Sequence, residues 1–145
     1  MPIPVKIKLL HPNAQVPVNA RYGDAGFDLR ASVNVGVPAG KTAFVPTGIA
    51  IEIPTDTVAL VCSRSGLAAK HSVAVLNAPG IIDSGYRGEI MAILHNHGTQ
   101  DFEVKVGDRI AQLVIQHYLV PSFELVEELS DSERGTGGTG STGTA

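Results

Sequence analysis

Apolar and polar residues alternate with a period of two through much of this chain, and this feature constrains its fold more than any other. The alternation is clear in residues 5–9, 33–37 and 49–53. Proline and glycine interrupt it roughly every ten residues, the spacing of short strands joined by turns. The pattern predicts an all-β sandwich or barrel. We expect further strands at 58–61, 89–94 and 109–118, and one short helix at 65–70.

The composition separates one folded domain from a different C-terminal segment. The chain has 145 residues, of which 43% are hydrophobic, enough for one core. Residues 130–145 are instead almost all Gly, Thr and Ser, with three charged residues. Such a segment cannot bury apolar surface. We therefore expect a β-domain at 1–129 and a flexible arm at 130–145.

Charge and hydropathy argue against several classes of partner. The net charge is −3 and no block of basic residues is present, which argues against binding nucleic acid through its phosphates. No apolar run is long enough to predict a membrane span. The single cysteine, Cys62, cannot form an internal disulfide, and this fits a reducing cytoplasm.

Residues 80–89 (GIIDSGYRGE) are the most specific chemical signal. Two β-branched residues, an Asp and a Ser-Gly pair predict a β-hairpin, with Asp83 beside the turn and Tyr86 after it. A carboxylate next to an aromatic ring suits a pocket for a sugar or a base. The alternative is an Asp that caps the turn and a Tyr on the surface.

Two other segments are suited to phosphate. Residues 64–66 (RSG) open the predicted helix, where amides, a hydroxyl and Arg64 would attract an anion. The alternative is Ser65 as an ordinary N-cap, with Arg64 in solvent. In the tail, residues 134–143 (RGTGGTGSTG) could turn backbone amides toward phosphate oxygens, or could be a solvated tail.

Two weaker segments complete the set. Residues 24–29 (DAGFDL) place two acids four apart around a turn. Residues 107–116 (GDRIAQLVIQ) predict a turn followed by a strand. There, a period of two puts Arg109 and Gln112 on opposite faces unless a bulge intervenes.

These five segments, in this order and spacing, resemble the five motifs of the trimeric dUTPase family over about five-sixths of the chain. The resemblance implies a jelly-roll subunit in a cytoplasmic homotrimer. It also implies hydrolysis of dUTP to dUMP and pyrophosphate by attack of water on the α-phosphorus. This reaction keeps uracil out of DNA and supplies dUMP for dTMP synthesis.

The resemblance also implies roles for residues around the nucleoside. Asp83 resembles the general base that activates water. Tyr86 resembles the ring that packs on deoxyribose and excludes a 2′-hydroxyl. The pocket that reads uracil and excludes thymine is implied for Asn77, for the backbone of Ile81 and Ile82, and for Met91.

The remaining implied roles concern the triphosphate. Arg64, Ser65 and Gly66 resemble the phosphate cradle, and Gln112 resembles a contact to the α-phosphate. Asp28 resembles the carboxylate that orients Mg²⁺ through water, the ion itself being carried by the triphosphate. The arm would close over the γ-phosphate in a neighbouring subunit through Arg134, Gly137, Gly138, Thr139, Ser141 and Thr142.

Two residues depart from the family pattern. Ser63 stands where the family commonly has proline, and we expect some loss of rigidity. Thr139 stands where the family usually has an aromatic residue that stacks on uracil. Because Thr cannot stack, we expect weaker ordering of the arm.

Three alternatives to a dUTPase remain open on the sequence. A dCTP deaminase of the same fold would carry a second Ser in place of Gly66. A non-catalytic nucleotide-binding relative is suggested by Thr139 alone. A pyrophosphatase without base selectivity would not need Asn77 and Tyr86.

Overall fold

Within residues 2–144, which the computed structural model describes, the chain forms eleven β-strands and one α-helix. Their bounds are β1 (Lys6–Leu9), β2 (Phe27–Arg30), β3 (Val35–Val37), β4 (Thr42–Pro46), β5 (Ile49–Glu52), β6 (Thr57–Cys62), α1 (Ser65–His71), β7 (Val73–Val75), β8 (Gly80–Ile82), β9 (Met91–Asn96), β10 (Phe102–Val104) and β11 (Arg109–His117). The expected all-β architecture with one short helix is confirmed.

The strands form a jelly-roll sandwich in which every paired neighbour is antiparallel. One sheet has the order β2-β11-β6-β8 and another has the order β4-β9-β7. Two further pairs, β1-β5 and β10-β3, complete the fold. Among residues 2–144, no helix is long and apolar enough to cross a membrane.

The core lies between the sheets and follows from the alternation seen in the sequence. In β9, for example, Ala92 and Leu94 are fully buried while their neighbours are only partly covered. Leu29, Ile49 and Ile110 are also within 1% of complete burial. Burying a side chain of this size contributes about 1.5–3 kcal/mol, so these inward positions supply much of the drive to fold.

The prediction of a hairpin at 80–89 is wrong, because the strands on either side of the turn do not pair with each other. Strand β8 pairs with β6, whereas β9 pairs with β4 and β7. The chain therefore passes from one sheet to the other through residues 83–90 rather than folding back on itself. The turn is present, since the Tyr86 amide donates to the Asp83 carbonyl at 3.0 Å.

The chain leaves the sandwich after β11. From Tyr118 to Thr144 the described residues form neither strand nor helix. Several large apolar side chains in this stretch are almost fully exposed, among them Leu119, Phe123, Leu125 and Leu129. This segment does not pack on the core of its own subunit, and its large apolar side chains are exposed.

Candidate active site

The short helix α1 brings the RSG segment to the surface. Arg64 is the N-cap, with extended backbone (φ −98°, ψ 130°) and no side-chain cap, and Ser65 is the first helical residue. The alternative of Ser65 as the N-cap is therefore wrong. Amides in the first turn of a helix have no intrahelical acceptor. Exposed Ser65 and Gly66 thus present a hydroxyl and backbone donors to solvent.

Arg64 is not in solvent either, because it pairs with Asp28. Its Nε lies 2.9 Å from Asp28 Oδ1, and the two side chains are 24% and 13% exposed. Arg109 approaches the other carboxylate oxygen, with Nη1 3.6 Å from Oδ2. One half-buried carboxylate thus holds two guanidinium groups, and the closer contact is a charge-assisted hydrogen bond.

A bulge in β11 makes this arrangement possible. The pairing of β11 with β2 shifts register between Arg109 and Ala111, and Ile110 is the extra residue. The extra residue lets Ile110 and Ala111, which are consecutive, both be buried while Arg109 and Gln112 share the other face. Gln112 then pairs with Asp28, and Arg109 reaches the same carboxylate. The bulge that the sequence analysis left open is therefore present, and the side chains of Arg109 and Gln112 lie in one site.

Gln112 is fixed by contacts on two sides. Its Nε2 donates to the Ser63 carbonyl at 2.8 Å. A Cβ at Gly26 would overlap Gln112 Oε1, although Gly26 does not have a positive φ. A side chain at position 26 would therefore displace the Gln112 amide, although the backbone conformation there does not require glycine. Ser63 also accepts a hydrogen bond from the Val75 amide through Oγ at 2.9 Å, a tie between the start of α1 and β7 that proline could not make.

These elements enclose a polar surface cavity of about 340 Å³. Its lining includes five of the predicted site residues: Asp28, Arg64, Ser65, Gly66 and Gln112. It also includes Ala20, Asp24, Ala25 and Gly26, and none of these was proposed as a site residue from the sequence. Arg109, which joins the site through Asp28, was named beside Gln112 from the sequence but was given no role. No local signal marks the bulge, because consecutive buried apolar residues also occur in the regularly paired strand β6.

The loop between β8 and β9 carries the second group of predicted residues. Asp83 is exposed at the start of the turn. Tyr86 is 45% exposed, and its hydroxyl donates to the Glu89 carbonyl at 3.0 Å. The ring lies against Gly88, where a Cβ would overlap it. The phenol is therefore held in one orientation beside the carboxylate-bearing turn.

The rest of this group lies on the flanking strands. Asn77 is exposed before β8, and its amide lies close to Gly80. Ile81 is exposed, whereas Ile82 packs against the core. Met91 begins β9 and is half-buried. In the part of the chain that the structure describes, neither these residues nor Asp83 and Tyr86 line the cavity around Arg64.

The glycine-rich arm makes contacts within itself. Arg134 Nε donates to the Gly137 carbonyl at 2.8 Å, and the Ser141 amide donates to the Gly138 carbonyl at 3.0 Å. Arg134, Gly137, Ser141 and Thr142 line a shallow pocket of their own. The sequence-predicted residues of one subunit thus form three groups, one in the cavity, one on the β8–β9 loop and one in the arm.

Comparisons by sequence and by structure find proteins of the same family. The dUTPase family profile matches residues 12–143. The deoxyuridine 5′-triphosphate nucleotidohydrolase of Clostridioides difficile is 53% identical over 139 residues, covering 96% of this chain and 97% of its own. The dUTPase of Staphylococcus bacteriophage 80alpha, solved with dUPNHPP, superposes with a TM-score of 0.91 at 30% identity, covering 97% of this chain and 99% of that chain.

A third relative concerns a metal. A dUTPase variant from phage phi11 of S. aureus, solved to show coordination of a structural Mg(II) ion, has a TM-score of 0.82 at 26% identity. It covers 88% of this chain and 99% of that chain. With the family profile spanning nearly the whole length and a relative more than half identical, the chain belongs to the dUTPase family.

Proposed function

We propose that this chain hydrolyses dUTP to dUMP and pyrophosphate, with water attacking the α-phosphorus and Asp83 as the general base. The family and the nucleotidohydrolase relatives support the reaction. The observation in the structure that supports it best is the polar cavity in which Arg64, Ser65, Gly66 and Gln112 converge. Hydrolysis of a triphosphate needs positioned donors and positive charge more than covalent chemistry. This cavity offers the donors and one guanidinium, and because Asp24 and Asp28 also line it, a metal ion would have to supply the remaining positive charge.

In this proposal the cavity holds the phosphates. Arg64 supplies charge, the first turn of α1 supplies amides, and the Ser65 hydroxyl adds a donor. Gln112 contacts the α-phosphate, with its orientation set by the Ser63 carbonyl. Because Asp28 already holds Arg64, little side-chain entropy remains to be lost when the triphosphate binds.

The β8–β9 loop and its flanks hold the nucleoside. Asn77 with the backbone of Ile81 and Ile82 would read the uracil edge, and Met91 would line the pocket. Tyr86 would pack on the deoxyribose. Asp83 would take a proton from the attacking water, which requires the carboxylate to be ionised and within hydrogen-bond distance of that water.

Magnesium fits the donors present. Two carboxylates, Asp24 and Asp28, line the cavity, and Asp28 keeps lone pairs beyond those facing Arg64 and Arg109. Mg²⁺ usually keeps several waters and binds through substrate phosphates with few carboxylates. We therefore propose that the ion arrives on the triphosphate and that Asp28 accepts a hydrogen bond from one of its waters. When bound, Mg²⁺ would neutralise charge on the phosphate oxygens.

We further propose that the active unit is a homotrimer whose sites are shared between subunits. The separation of the cavity, the Asp83 loop and the arm within one chain supports this. So does the uncovered apolar stretch at 119–129, which needs a partner surface. On this view residues 1–129 are the β-domain, and the arm at 130–145 closes over a neighbour's site through Arg134 and the groups near Ser141. The single cysteine supports a cytoplasmic location.

The decisive test is Asp83→Asn, assayed for pyrophosphate release with Mg²⁺. General-base catalysis is worth about 10²–10⁴-fold, so kcat should fall by that order while a non-hydrolysable dUTP analogue still binds. An unchanged kcat would remove Asp83 from the role.

A nucleotide panel separates the alternatives. Release of ammonia from dCTP would indicate a deaminase, and comparable hydrolysis of dTTP and UTP would indicate an unselective pyrophosphatase. Binding of dUTP without turnover would indicate a non-catalytic relative. Light scattering of the purified protein tests the trimer.

A further inference from the structure

Arg87 occupies an unusual position beside the loop that carries Asp83 and Tyr86. Its Nη1 donates to the Ser84 carbonyl at 2.7 Å and to the Tyr86 carbonyl at 3.2 Å. These two carbonyls bracket the centre of the turn, which a single backbone hydrogen bond from Tyr86 to Asp83 otherwise closes. One guanidinium nitrogen therefore fixes the path of the backbone between the carboxylate and the ring.

The other end of the same guanidinium is anchored to a different part of the sandwich. Arg87 Nη2 lies 3.4 Å from Glu52 Oε1, and Glu52 Oε2 lies 3.1 Å from Lys6 Nζ. Glu52 is the last residue of β5, and Lys6 pairs with it from β1. The Arg87 side chain therefore connects an exposed turn to the ordered β1-β5 pair.

Glu52 is suited to remain charged as this anchor. Its hydrogen bond with Lys6 and the positive charge of Lys6, with a smaller contribution from Arg87, hold the pKa of the Glu52 carboxyl below its ordinary value. The carboxylate is therefore ionised at neutral pH. Surface ion pairs of this kind add little to stability, so losing the contact should leave unfolding nearly unchanged and any effect should appear in activity.

We propose that Arg87, anchored by Glu52, is a positioning residue that holds the turn of Asp83 and Tyr86 in its catalytic geometry. The proposal rests on the proposed function, since it gives Arg87 a task only if Asp83 activates water. Arginine suits this position better than lysine, because its planar fork serves the carbonyls and the carboxylate at once, whereas a lysine ammonium could reach only one of them. Misplacing a catalytic group by about 1 Å can cost about 10²-fold in rate.

The test compares dUTP hydrolysis by the full-length wild type, Arg87→Ala, Arg87→Lys and Glu52→Gln. We expect kcat to fall about 10- to 100-fold in Arg87→Ala, more than KM rises, with a smaller fall in Arg87→Lys. Glu52→Gln should have a weaker effect and little added effect in the Arg87→Ala background, because both substitutions remove one connection. Free guanidinium, well below denaturing concentrations, should restore part of the kcat of Arg87→Ala.

The matched control is Lys6→Met, which removes the other ion pair of Glu52 but touches no atom of the turn. Its kcat should remain close to that of the wild type, and urea unfolding should be similar for all variants. Wild-type kcat in both Arg87 variants, or an equal fall in Lys6→Met and Glu52→Gln, would overturn the positioning role while leaving dUTP hydrolysis intact. A wild-type protein that released no pyrophosphate from dUTP would overturn both proposals.

Discussion

The substitution Asp28→Asn tests whether one carboxylate organises the polar cavity around Arg64. At 2.9 Å and an effective dielectric constant of about 20, the gross attraction to Arg64 is roughly 6 kcal/mol, most of it offset by desolvation. Asparagine can still accept one hydrogen bond. The net loss of stability is therefore the difference between a charged and a neutral hydrogen bond to Arg64. The weaker contact to exposed Arg109 adds a small amount. We expect unfolding to become easier by about 1–2 kcal/mol.

The loss is measured by urea unfolding at one fixed protein concentration, because the stability of an oligomer depends on concentration. The matched control is Asp24→Asn, in the same cavity. Asp24 Oδ2 accepts a hydrogen bond from the Arg21 amide at 3.0 Å, which asparagine preserves, so a change within about 0.5 kcal/mol is expected. If Asp28→Asn is as stable as the control, Asp28 does not hold the guanidinium groups as described. The variant should also need more Mg²⁺ for half-maximal hydrolysis.

Two further substitutions test the contacts of Gln112 and the departure at Thr139. Gly26→Ala should push Gln112 away from the Ser63 carbonyl, destabilise the fold by about 1 kcal/mol and lower kcat/KM. If steric displacement is the cause, Gly26→Ala should cost no further stability in a Gln112→Ala background. Thr139→Phe should raise kcat/KM for dUTP by about 5- to 150-fold, the value of about 1–3 kcal/mol of base stacking. Thr139→Leu is its control, and equal kcat/KM for Thr139→Phe and the wild type would refute the stacking argument.

Local periodicity predicted the position of several strands, because a strand such as β9 buries every second residue. The stretch predicted at 49–53 forms β5 and the stretch predicted at 109–118 forms β11, each one residue shorter than predicted. Burial does not alternate strictly everywhere, since Ile49, Ala50 and Ile51 of β5 are all buried. The pairing of β8 was not predictable in the same way. Residues 80–89 have the local chemistry of a hairpin, but β6 offers Gly80, Ile81 and Ile82 a long-range partner that no local pattern reveals.

The residues that line the polar cavity were easier to bring together from the sequence than the contacts between them. Arg64, Ser65 and Gly66 are adjacent in sequence, so one motif carries them to one place. The pairing of Arg64 with Asp28 joins residues 36 positions apart and depends on the registers of β11 with both β2 and β6. Register is set by the whole sheet, and a single segment read alone does not determine it.

The extra residue in β11 makes tolerance to insertions and deletions very uneven along this chain. Removing Ile110 would restore strict alternation and leave Arg109 and Gln112 on the same face. Removing one residue from the regularly paired stretch 112–117 would instead turn the side chains that follow it to the opposite face of the sheet. An added residue in the exposed loop at 99–101 would move no side chain across a sheet. Length variation should therefore concentrate in such loops and at the bulge, while the paired stretch 112–117 of β11 keeps one fixed length.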